Sequence, residues 1–224
     1  MTALLFERLK EETAEDLNWL LAAPLIADCR EGYITLERYT RYLSQAYQHV
    51  KHTVPLMMAT GARLTDEQEW LREALCEYIE EEVGHQEWIL NDLAVCGIDK
   101  DTVRHARPWP ETEMMVSYAY DSVMRKNPVS FFGMVYVLES TSVSLATPLG
   151  EIIQSELALP KSAFSYLYSH GSLDLEHLDF FEKLVNRITD RKQQDDIIHM
   201  ARMMYRLWGG MFYAVTANEP EARA

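Results

Sequence analysis

His170, Asp174 and His177 stand at i, i+4 and i+7 within Tyr168-Ser-His-Gly-Ser-Leu-Asp-Leu-Glu-His177. On a helix of about 3.6 residues per turn, that spacing sets all three on one face over two turns. Two imidazoles and a carboxylate offered from one helix make half of a metal site, and the mixture suits iron, manganese or zinc. Such residues also occur on solvated faces, so the triplet gains weight only if other elements bring matching halves.

Two other stretches offer them. In Glu80-Glu81-Glu82-Val-Gly-His85, Glu82 and His85 are i and i+3, the Glu-x-x-His unit that helix bundles use to hold paired iron. Glu81, four residues before His85, competes with Glu82, and a solvated acidic patch explains the run equally well. Glu139 follows the uncharged run Phe131-Phe-Gly-Met-Val-Tyr-Val-Leu138. A helix apolar all round is buried, and a lone carboxylate there must be protonated, paired or metal-bound. Lys and Arg are missing from 127–160, so a paired cation has to come from elsewhere in the fold. Together Glu82, His85, Glu139, His170, Asp174 and His177 give three carboxylates and three imidazoles. That is more than the four-coordinate site typical of zinc, and it favours a redox pair of ions.

Helical periodicity dominates the chain, and no alternating strand pattern appears. The pattern predicts seven helices over roughly 3–22, 35–63, 65–96, 111–126, 128–157, 160–188 and 190–216. Thr35 and Thr65 are N-cap residues, Asn127-Pro128 is a cap with Pro at the first helical position, and Gly97 is a left-handed stop. Bends are expected at Pro55, near Pro148 and Gly150, and at Gly171. Residues 98–110 read as the longest irregular connection. Nothing resembles an interdomain linker, so the reading is one all-α domain over 1–224 with an ordered core of about 3–216.

With 21 basic and 35 acidic side chains the net charge is −14, which disfavours nucleic acid and anionic lipid as partners. The 48% hydrophobic and 25% charged composition is that of an ordered globular chain. Cys29, Cys76 and Cys96 show no CxxC spacing and read as reduced thiols. The charged N-terminus does not resemble a secretion signal, and no uncharged apolar run reaches the length of a membrane span. A cytoplasmic protein is expected.

The pattern Glu82-x-x-His85, Glu139 in an apolar helix, then His170-x-x-x-Asp174-x-x-His177 resembles the haem-oxygenase-like di-iron oxidases and oxygenases. These share a superfamily with the thiaminase II (TenA) and pyrroloquinoline-quinone synthase (PqqC) proteins. The Tyr39-x-x-x-Leu43-x-x-x-Tyr47 stripe and the Glu-Glu-x-Gly-His run extend the likeness over most of the chain. The resemblance implies a single-domain, seven-helix bundle with two non-haem iron ions at its centre. It implies that dioxygen, as co-substrate, oxidises or oxygenates a small bound molecule, with carboxylate-bearing metabolites among the candidates. It also implies one iron on Glu82, His85 and His170 and the other on Glu139, Asp174 and His177, with a bridging glutamate. An external electron donor and a homodimer are compatible with it. Two alternatives remain open: a metal-free TenA- or PqqC-like enzyme, and a binding or regulatory protein held together by structural metal. The thiaminase branch wants a nucleophilic Cys in the 128–157 helix, and that helix has none.

Outside this set, His49 and His52 can line a pocket or relay protons, though an ordinary partly buried histidine is the simpler reading. His105 and His199 read as surface residues. The methionines read as core filling. Arg202, Arg206 and Trp208 are the candidates for anchoring a substrate carboxylate.

Overall fold

The computed structural model describes residues 4–217, without the side chains of 171–176. The order is α1 (Leu5–Glu12), α2 (Ala14–Leu21), α3 (Pro24–Arg30), α4 (Leu36–Val50), α5 (Thr53–Arg63), α6 (Glu69–Glu82), α7 (His85–Val95), α8 (Lys100–His105), α9 (Pro110–Arg125), α10 (Phe131–Leu157), α11 (Ser165–Val185) and α12 (Arg191–Ala217). Short 3-10 turns precede α6, α10 and α11. No strand occurs among the described residues.

The helices outnumber the seven expected because three of the long ones are interrupted. The first stretch divides at Thr13, whose hydroxyl donates to the Leu9 carbonyl at 2.7 Å and whose backbone leaves helical geometry. The second divides at Lys51-His52, ahead of Pro55. Pro55 then falls in the first turn of α5, where an amide hydrogen has no helical partner to lose. The third divides at Val83-Gly84, where Gly84 takes φ +96°, a left-handed conformation natural to glycine alone. Glu82 and His85 therefore close one helix and open the next, where one continuous helix was expected.

Two further segments differ. Pro24 starts a helix, α3, in the stretch between the first two expected helices. The 98–110 connection contains α8, capped by Asp99, whose carboxylate accepts from Thr102 N at 2.7 Å. A helix so short leaves almost no periodic signal, so its cap was the readable clue. Other expectations stand: Thr35 accepts from Arg38 N, Thr65 and Gln68 form a capping box, Asn127 accepts from Val129 N, and Gly97 has φ +84°. The α10 helix continues through Pro148 to Leu157, and α11 runs unbroken past residue 171.

The core organises around α10, buried on every side from Phe131 to Val137 and packed on α11 and α12. Gly133 sets the approach to α12: a Cβ there would overlap the Ile197 carbonyl oxygen and lie 2.8 Å from Ala201 N. The Pro128–Leu157 segment is long and apolar enough to cross a membrane, yet 72% of its most apolar window is buried inside the protein. Met57, Met115, Met204 and Met211 fill the core as expected, whereas Met58 and Met114 face solvent.

Candidate metal centre

Three elements converge on one spot. Glu82 ends α6, His85 begins α7, and His170 projects from α11; one ligand atom from each lies within 4.8 Å of the others. The break at Gly84 is what permits this, because it turns the chain so that both Glu82 and His85 face inward. His85 is 4% exposed, and its ring stacks on Trp88 at 3.8 Å and meets His170 edge-on at 5.1 Å. His85 Nδ1 lies 3.2 Å from Glu82 Oε2 but lacks an aligned hydrogen bond. Burial pushes the Glu82 carboxyl up, but the close approach of His85, with His170 and His177 nearby, outweighs it, and the net shift is downward. An ionised carboxylate facing two imidazoles is a donor set that fits a transition ion.

His170 is oriented by its own helix. Its Nδ1 lies 2.9 Å from the Tyr166 carbonyl oxygen, which can only accept. The proton is therefore on Nδ1, and Nε2 keeps its lone pair for a ligand. The Tyr166 hydroxyl is in turn hydrogen-bonded to Tyr42.

Upstream of this turn sits Asp92, a residue that carried no sequence signal. It is fully buried and accepts from Ser165 N at 2.9 Å, Ser165 Oγ at 2.5 Å and Tyr166 N at 2.9 Å. These are amides at the start of α11, with no carbonyl of their own helix to bond. Asp92 thus ties α7, which carries His85, to the helix that carries His170.

The remaining candidates are distributed as follows. Glu139 lines the cavity that Glu82 and His170 also line. His177 is buried, with Nε2 2.7 Å from Glu81 Oε2 and its ring against Tyr78. Glu81 and Glu82 hence diverge, the first half-exposed and toward His177, the second inward toward His85 and His170. Asp174 lies outside the described side chains.

The cavity measures about 120 Å³. Its walls are mostly aliphatic and aromatic, among them Leu25, Ile26, Leu145, Leu149, Ile153 and Phe212, and His49 and Trp208 also line it. Cys29 also lines it, from α3 rather than from the 128–157 helix where the thiaminase branch would want a nucleophile. Burial pushes that thiol up to about 11, against a smaller opposing pull from Arg30, so it stays protonated at neutral pH.

The expected arginine anchors are not in this cavity. Arg202 donates to the Glu12 carbonyl at 3.0 Å and Arg206 pairs with Asp16 at 2.7 Å. Spaced i and i+4, they share the α12 face that meets α1 and α2, whereas Trp208 lies on the cavity side. His52 Nδ1 approaches the Tyr120 hydroxyl at 3.3 Å. His105 and His199 are exposed.

An all-helical chain with this topology is haem-oxygenase-like, and the solved structures it is similar to agree. A domain of unknown function with a heme oxygenase-like fold from Shewanella denitrificans OS217 shares 22% identity at TM-score 0.87, over 97% of this chain and 94% of that one. A TenA homolog from Pseudomonas syringae pv. tomato DC3000 shares 13% at TM-score 0.79, covering 95% and 93%. Heme oxygenase-1 from Synechocystis sp. PCC 6803, in complex with heme, shares 14% at TM-score 0.77, covering 96% and 94%. No curated protein matches in sequence. Residues 40–209 match the family described as iron-containing redox enzyme, and the chain belongs to that family.

Proposed function

We propose that this protein is a non-haem, iron-dependent oxidoreductase that uses dioxygen on a small molecule held in the central cavity. The observation that carries the reading is the convergence of Glu82, His85 and His170 from three helices beside an apolar cavity. In this reading those three hold one iron, and Glu139 and His177, with Asp174, hold a second. When bound, ferrous iron supplies the electrons that dioxygen needs. The chain's own residues do the rest. The Tyr166 carbonyl fixes the His170 tautomer, Trp88 holds the His85 ring by stacking, and the aliphatic walls exclude water around the bound molecule. A cytoplasmic location suits free thiols, and an external donor would re-reduce the metal between turnovers.

Anaerobic titration with ferrous iron, read as bound metal per chain, tests the ligand set. Two irons per chain are expected for the wild type, with His170→Ala and Glu82→Gln each losing at least one, and oxygen uptake should follow the loaded protein. Unchanged stoichiometry in both variants would refute the first site. A Glu139→Ala protein that still binds two irons would refute the second.

A further inference from the structure

Two buried side chains that line the cavity have polar atoms that no group meets among the described residues. His49 is 2% exposed, and neither ring nitrogen has a hydrogen-bond partner. Trp208 is 6% exposed, and its indole Nε1 has none either. They are neighbours, His49 on α4 and Trp208 on α12, with ring centroids 6.3 Å apart and edge to face. Both line the cavity that also carries Glu82, Glu139 and His170. Buried donors are satisfied in nearly all folded proteins, so an unmet pair on two residues that line one cavity calls for an explanation.

The chemistry of the pair is specific. Burial keeps His49 neutral, with His52 and His170 adding to the effect, so it presents one N–H and one lone pair. The indole presents one N–H and no acceptor. An oxygen can accept from either ring N–H, and a hydroxyl or amide hydrogen on the same head can donate to the imidazole lone pair. Charge narrows the class further. None of the described residues lining the cavity is Lys or Arg, and Gly171–Glu176 contains neither. Two lining residues are glutamates, and Arg202 and Arg206 are engaged on the outer face. Among the described residues, an anionic head would find no cation in the cavity lining. Apart from the pair, the two glutamates, His170 and the hydroxyls of Thr53, Thr141 and Ser142, the walls are mostly aliphatic and aromatic.

We infer that His49 and Trp208 are specificity-determining residues that hold the uncharged oxygen head, an alcohol or a primary amide, of a ligand whose apolar body fills the aliphatic part of the cavity. The inference deepens the proposed oxidoreductase reading and rests on it only for what happens to the ligand after binding. At roughly 10–15 Å³ per water-sized group, the cavity takes on the order of ten non-hydrogen atoms, so eight-carbon probes match it.

The test is calorimetric titration of the full chain with octanamide, 1-octanol, octanoate and octane. It is run on iron-loaded protein under nitrogen and again after chelation. Octanamide and 1-octanol are expected to bind at least about tenfold more tightly than octane in both states, since leaving a buried donor open costs about one factor of ten. His49→Phe and Trp208→Phe should each remove most of that preference while leaving octane binding unchanged. His49→Gln, which keeps a donor and an acceptor, should restore it. In case His49→Phe fails to fold, the wild-type Trp208 indole proton gives an independent reading. Its NMR resonance should move with octanamide and stay with octane. Equal affinity for octane and octanamide, binding of no probe, or tighter binding of octanoate to chelated protein would each overturn the assignment. Iron uptake is measured separately. A protein that takes up no iron but keeps the amide preference would defeat the oxidoreductase reading and leave this one standing.

Discussion

Replacing Asp92 probes how the two ligand-bearing helices are held together. In Asp92→Ala, the Ser165 and Tyr166 amides lose their acceptor in a buried place, while the Ser165 hydroxyl keeps a long contact to the Trp88 carbonyl at 3.5 Å. Each buried donor left open costs roughly 1–3 kcal/mol, so a loss of about 2–6 kcal/mol is expected. Asp92→Asn is milder. One oxygen can still accept both Ser165 donors, and only the Tyr166 amide faces an amino group, for a loss of roughly 1–3 kcal/mol. The charge itself should matter little. Burial raises the Asp92 pKa, and the hydrogen bonds from Ser165 and Tyr166 only partly oppose it. A carboxyl whose pKa is raised on folding adds stability below its unfolded value that is lost as pH rises through the folded value. Ionised Asp92 is therefore tolerated for its acceptor oxygens. Urea unfolding followed by circular dichroism measures both losses, and hydrogen exchange at Ser165 and Tyr166 locates them. If Asp92→Asn proved as damaging as Asp92→Ala, charge rather than acceptor geometry would be the cause. A loss below about 1 kcal/mol in Asp92→Ala would refute the whole account.

Other expectations follow from burial and packing. Gly133→Ala forces a methyl into the α12 backbone and should cost about 1–3 kcal/mol, read as a lowered urea midpoint; a neutral result would deny the close approach of α10 and α12. His49 has its pKa lowered to about 3 by burial. It therefore contributes stability that is present above about pH 6.5 and lost as pH falls toward 3. Midpoints measured between pH 7 and 4 should fall less steeply in His49→Phe than in wild type, and parallel curves would refute the assignment. Alkylation of the native protein, followed by mass spectrometry of its peptides, should modify exposed Cys76 first and buried Cys29 last. Equal rates would show that the Cys29 thiol is neither shielded nor held protonated.

The sequence by itself determined that the chain is all-helical and which residues could take part in metal chemistry. Apolar spacing, the caps at Thr35, Thr65 and Asn127, and the stop at Gly97 are local properties, and local geometry follows from them. The His170, Glu82, His85 and Glu139 candidates were legible because their types and spacing are conspicuous against apolar surroundings. Tertiary structure decided which of them meet. The turn at Gly84 sends Glu82 toward His170 and leaves Glu81 toward His177, a choice made by one left-handed residue and not by i, i+3 spacing. Only packing revealed Asp92 beneath α11, or the open nitrogens of His49 and Trp208 from helices far apart in the chain. Arg202 and Arg206 show the converse, since residues suited to bind an anion spend their charge on Glu12 and Asp16 once α12 docks. A partner across the fold is a long-range fact, and short-range patterns carry no record of it.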